Sequence, residues 1–234
     1  MGSEHLSKQY DSELETLRSD VLQMGGLVEA QVRAAVEAFS AGDAELIERV
    51  IAEELRVNAA EVRIDNECSH IIVRRQPAAG DLRLIMAISK MVTDLERIGD
   101  EAEKIARMSH KIHDKPSIEL QRFANVRHAA DIALTMLRRS LDAFARLDAA
   151  EAARTIRDDL AIDDEFGSIL RQLITYVMED PRTISVALEI VWIAKAIERI
   201  GDHSRNVAEQ VIYIVKGTDV RHTRIDQVER KLLD

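Results

Sequence analysis

Hydrophobic positions along this chain recur at spacings of three and four through six long stretches, near residues 5–40, 43–75, 78–112, 118–147, 149–179 and 182–216. That spacing returns every third or fourth side chain to one face of an α-helix, so each stretch predicts a helix with one apolar stripe. The interruptions are Gly42-Asp43, Gln76-Pro77, Asp114-Lys115-Pro116-Ser117, Asp148, Asp180-Pro181 and Lys216-Gly217. Proline cannot continue a helix and restricts the residue before it, so each X-Pro marks a boundary. A helix of about 30–35 residues is about 45–50 Å long, and such helices joined by tight turns must fold back as antiparallel neighbours.

The pattern also repeats. Leu95-Glu96-Arg97-Ile98-Gly99-Asp100 recurs as Ile197-Glu198-Arg199-Ile200-Gly201-Asp202, and Ile105-Ala106 is matched by Val207-Ala208. Both copies fall in the third helix of a set of three, each following an X-Pro break. Repetition at the scale of a supersecondary unit marks a duplicated fold. The prediction is an all-α protein of two tandem antiparallel three-helix bundles, residues 1–115 and 116–234, with the boundary near Pro116.

Composition agrees. Aromatic residues are 3%, Gly numbers 9 and Pro 3, while Ala, Leu, Glu and Arg dominate, and these lose little on entering a helix. Net charge is −10. The Arg pairs (Arg74-Arg75, Arg138-Arg139) are isolated and the C-terminal tail mixes signs, so no clustered basic face for nucleic acid is present. An acidic chain is not drawn to anionic lipid by charge, which leaves protein partners as the route to a membrane. The single cysteine, Cys68, allows no internal disulfide and suits a reducing compartment. No start resembles a signal peptide and no apolar run approaches the roughly 18–20 residues of a membrane span, so a cytoplasmic protein is expected.

Acidic residues interrupt the apolar stripes. Helix 2 reads Ile47, Ile51, Glu54, Asn58, Glu61, Asp65, Cys68, Ile72, and helix 5 reads Ala152, Ile156, Asp159, Asp163, Phe166, Leu170. Helix 3 carries Glu96 and Asp100 after Ile85 and Val92; helix 6 carries Glu198 and Asp202 after Val191 and Ala194. Counting outward from Pro77 places Glu96 level with Asn58 and Asp100 level with Glu54. Counting from Pro181 brings Glu198 and Asp202 within one residue of the levels of Asp163 and Asp159. Facing carboxylates inside a seam are costly unless a cation binds, Arg97 and Arg199 pair with them, or they protonate. Clustered carboxylate oxygens suit hard cations such as Mg²⁺, Ca²⁺, Mn²⁺ or iron, which makes one metal site per bundle the functional reading. The competing reading is a solvated face with weak surface ion pairs.

Gly99 and Gly201 sit in mid-helix, where Gly costs about 1 kcal/mol against Ala, and imply close backbone approach. His203 reads as a surface residue, since it points away from the Asp202 side. Glu67-Cys68-Ser69-His70 has the Glu-x-x-His spacing of di-iron bundles but occurs once only. Trp192 reads as core and Cys68 as an inert buried thiol. No nucleophile motif, phosphate-cradling Gly loop or zinc-finger spacing appears, so a non-catalytic protein is expected, with a carboxylate-bridged metalloenzyme as the alternative.

These residues together resemble the PhoU family, accessory regulators of bacterial phosphate-specific transport, over essentially the full length. The resemblance rests on Met24-Gly25, Gln76-Pro77-Ala78 leading into Asp81-Leu82-Arg83, Tyr213-Ile214-Val215-Lys216-Gly217 with Arg221-His222, and above all the duplicated Glu-Arg-Ile-Gly-Asp. It implies multinuclear metal sites at Glu96/Asp100 and Glu198/Asp202, with Glu61/Asp65 and Asp159/Asp163 on the partner helices; iron, zinc, manganese and magnesium all fit. Helix 5 lacks the fuller acid set of helix 2, so the two sites are expected to differ. The resemblance further implies a homodimer, held to the inner membrane through partners, that represses the phosphate-starvation response and restrains phosphate uptake. The implied partners are the phosphate ABC transporter ATPase and a phosphate-sensing histidine kinase.

Overall fold

The residues that break the periodicity become caps and turns in the computed structural model, which describes residues 2–113, 124–221, 223 and 226–228, with side chains from residue 8 onward. Six long α-helices are present among them: α1 (Gly2–Ala41), α2 (Ala44–Arg75), α3 (Ala79–His113), α4 (Ala124–Arg146), α5 (Ala149–Glu179) and α6 (Ile184–Lys216); residues 226–228 are helical as well. Asp43 caps α2 by accepting from the backbone N–H of Glu45 and Leu46, and Asp148 caps α5 on Ala150 and Glu151. These caps satisfy donors that helix geometry leaves unpaired. Each follows a residue with positive φ: Gly42 (+68°) before Asp43 and Leu147 (+52°) before Asp148. The Pro181–Thr183 segment is one turn of 3₁₀-helix, because Thr183 N–H bonds Asp180 O; α6 therefore starts at Ile184, two residues later than the periodicity suggests. The Pro116 break, the first residues of the expected fourth helix and His222 lie outside the described residues.

The stripes then pack. Leu17, Val21, Met24, Val28, Val32 and Phe39 bury one face of α1, and Ile85, Ile88, Met91, Leu95, Ile98 and Ile105 one face of α3. Removing such side chains from water contributes about 1.5–3 kcal/mol each. α1, α2 and α3 pack pairwise into one antiparallel bundle, and α4, α5 and α6 into another. The two share one continuous apolar core. They join most extensively along α3 and α6, which run antiparallel: Arg83 lies beside Gly217, Lys90 over Tyr213, Glu101 against Arg199 and Lys104 over Trp192. α1 meets α4 at Gly25, where an added Cβ would lie 2.5 Å from Leu141 Cδ2.

Two expectations need correction. His203 is not a surface residue: its Nδ1 lies 2.8 Å from Asp94 Oδ1 across the α3–α6 seam, and Asn206 donates to the same oxygen at 2.9 Å. Trp192 is not core: it is 52% exposed, on the flank of α6, with the Lys104 ammonium 5.5 Å from its ring centre. No helix among the described residues is long and apolar enough to cross a membrane.

Candidate metal centre

Gly99 opens the space for the first cluster. A Cβ there would meet Glu54 Oε2 at 3.0 Å, Gln31 Oε1 at 3.1 Å and Val57 Cγ1 at 3.1 Å, so α3 approaches α1 and α2 closely at this level. Glu54 is 6% exposed. Its Oε2 accepts from Gln31 Nε2 at 2.9 Å, and its Oε1 has no partner in the protein. Carboxylate oxygens of Glu54, Glu96 and Asp100 all lie within 4.8 Å of one another. Burial first, and then repulsion from Asp100, Glu103 and Glu96, pushes the Glu54 carboxyl above its usual range against the pull of the Gln31 bond. Burial and the neighbouring Asp100 likewise raise Glu96. Asn58 Oδ1, on the same face of α2, is also buried and unpaired.

The remaining acids of this face are held by hydroxyl groups of α3 along the α2–α3 groove. Glu61 accepts from Thr93 at 3.1 Å, and Asp65, which is exposed, accepts from Ser89. Arg97 reaches Asp100 at 3.2 Å and Glu96 at 3.5 Å, but its side chain is 53% exposed, where such pairs contribute little. Glu67 and His70 are both exposed, away from the cluster. The donor set therefore suits a hard cation: three convergent carboxylates, one of them buried beside a neutral amide with an oxygen unclaimed.

The second bundle places Asp159, Glu198 and Asp202 near one another at the corresponding level, with Asp163 exposed at the rim. Here Gly201 serves packing, since a Cβ would meet Ile162 Cδ1 at 2.8 Å. Asp159, 5% exposed, accepts from Arg205 Nη1 at 2.9 Å, and Glu198 accepts from Lys195 Nζ at 2.6 Å. Burial, then repulsion from Glu198 and Asp159, pushes Asp202 up to about 6. Arg199 does not compensate this cluster as the stripe pattern suggested; it crosses to Glu101 of α3 at 2.8 Å.

Three side chains that the stripes do not single out thus complete the clusters: Gln31, Lys195 and Arg205. Spacing carried a signal for two of them, because Lys195 stands three residues before Glu198 and Arg205 three after Asp202, on the same helix face. Gln31 comes from α1, and no spacing rule relates it to Glu54.

A family model described as the PhoU domain matches residues 21–109 and again 126–211. The chain is 49% identical over 234 residues, all of both chains, to the phosphate-specific transport system accessory protein PhoU homolog of Burkholderia sp. The crystal structure of PhoU from Pseudomonas aeruginosa superposes with a TM-score of 0.86 at 48% identity, covering 89% of this chain and 100% of that one. That of the phosphate transport system regulatory protein PhoU from Streptococcus pneumoniae gives 0.82 at 26% identity, over 90% and 99%.

Proposed function

The chain belongs to the PhoU domain family, and from that membership we propose that it is a non-catalytic accessory regulator of phosphate uptake that represses the phosphate-starvation response. The observation that carries the reading is the likeness along the whole chain to relatives named as accessory or regulatory proteins of phosphate transport. In this role the chain connects the phosphate ABC transporter, through its ATPase, to a phosphate-sensing histidine kinase, acts from the cytoplasm, and works as a homodimer. Two units, 1–115 and 116–234, divide it. The architecture supports an adaptor: long antiparallel helices offer extended faces for docking.

The metal reading is supported by Glu54, Glu96 and Asp100, with Asn58 alongside. A bound cation would supply positive charge to a buried acidic seam; Gln31 would orient Glu54, and Val57 and Gly99 would keep the site close-packed. The direct test is binding of the purified chain to the transporter ATPase and to the kinase. Binding to both supports the adaptor; binding to neither at micromolar concentration refutes it.

A further inference from the structure

The two clusters occupy equivalent places in a duplicated fold, so a position-by-position comparison isolates what differs. On α3 and α6 the equivalent residues stand 102 apart; on α2 and α5 the capping aspartates, Asp43 and Asp148, set the offset at 105. Thr93 of α3 donates to Glu61 of α2 at 3.1 Å. Their counterparts are Lys195 and Phe166, and the Lys195 ammonium sits 5.4 Å from the Phe166 ring centre while holding Glu198. Glu103 of α3 accepts from Arg107 at 3.0 Å. The same i, i+4 pair is written in reverse in the second bundle, as Arg205 and Glu209, 3.2 Å apart. Reversal turns the guanidinium inward, where it binds Asp159.

We propose that this chain holds a metal ion in its first bundle only, and that Lys195 and Arg205 take the cation's place in the second. The inference rests on the first cluster being a metal site. In that cluster the most buried carboxylate, Glu54, is held by a neutral amide. In the second, Asp159 Oδ1 and Glu198 Oε2 have no partner, but each belongs to a carboxylate whose other oxygen already holds a cation. Among the described residues, three acidic ligand atoms converge only at Glu54, Glu96 and Asp100. An ion entering the second cluster would have to expel an ammonium and a guanidinium, both partly buried, and expose their partners to one another.

The experiment is a Mn²⁺ titration of the tag-free, metal-stripped full chain, with free Mn²⁺ counted by its EPR signal and helicity followed by circular dichroism. Glu54→Gln with Asp100→Asn is expected to weaken Mn²⁺ binding by about 100-fold or more, since loss of an outer-shell partner of a ligand alone costs up to about 100-fold. Asp159→Asn with Asp202→Asn is expected to change it less than about twofold, as for an independent site. Lys195→Thr with Arg205→Glu writes the first bundle's residues into the second and is expected to add bound Mn²⁺; Arg205→Gln alone serves if that pair fails to fold. Equal loss from both acid pairs, or a folded swap that binds no additional Mn²⁺, overturns the inference and leaves the first site standing. No Mn²⁺ bound by the unaltered chain overturns both.

Discussion

Arg205→Met keeps the length and apolar stem of the side chain and removes its charge. Arg205 Nη1 lies 2.9 Å from Asp159 Oδ2 and its Nε 3.2 Å from Glu209 Oε1, and both carboxylates are 5% exposed. Deleting one partner of a buried ion pair costs about 3–5 kcal/mol, because the remaining charge stays desolvated and unpaired. The Arg205 side chain is 34% exposed, so solvent screening lowers the expectation to about 2–4 kcal/mol. For a chain of 234 residues the unfolding entropy makes 1 kcal/mol worth about 2 °C, so Tm should fall by about 4–8 °C. Arg97→Met, at an exposed pair of the first bundle, is the matched control and should shift Tm by about 1 °C or less. The assay is thermal unfolding followed at 222 nm, at pH 7 and again near pH 5. Burial already holds Asp159 above its usual range, so acid protonates it readily and the Arg205 deficit should shrink. Equal shifts for Arg97 and Arg205, or an Arg205 deficit independent of pH, would refute the reasoning.

Three further outcomes follow from the same geometry. Asp202 stands at about 6 in the folded protein against 3.8 ordinarily, so between these values the folded state binds more protons. Its contribution is full below about pH 4 and lost as pH rises through 6; Asp202→Asn should gain stability over the parent at pH 7 and match it at pH 3.5, by urea unfolding. Leu147 holds φ at +52° where the equivalent turn uses Gly42, so Leu147→Gly should stabilise by about 0.5–1 kcal/mol after its entropic cost, and a drop in Tm would show the strain is absent. Cys68 is buried, and burial pushes its thiol up to about 12, so Ellman's reagent should modify it only under denaturing conditions; rapid reaction of the native protein would contradict the packing of α2.

Much of the fold was legible because its signals are local. Six helices, the described turns between them and the antiparallel register follow from apolar spacing, Asp43, Asp148, Pro77 and Pro181, and counting from Pro77 put Glu54 level with Asp100, where they meet. The same counting could not rank burial within a face. Asp65 and Asp163 lie on the stripe in sequence and at its solvent edge in the structure, because a stripe read at alternating spacings of three and four averages about 3.5 residues and drifts across the face of a 3.6-residue helix along 30 residues. Trp192 and His203 were misplaced because their surroundings come from α3 of the other bundle, through Lys104 and Asp94, which no spacing along α6 encodes. The asymmetry of the clusters was written plainly, in Lys195 and Arg205, but became meaningful only once Asp159 was seen to receive the guanidinium.

In the proposed role the chain keeps the phosphate-starvation response silent when phosphate is plentiful. The decisive measurement is alkaline phosphatase output in phosphate-rich medium, with the gene deleted and then restored. High output on deletion, silenced again by the restored chain, is the predicted result; output that stays low on deletion in a strain with no second copy would contradict it.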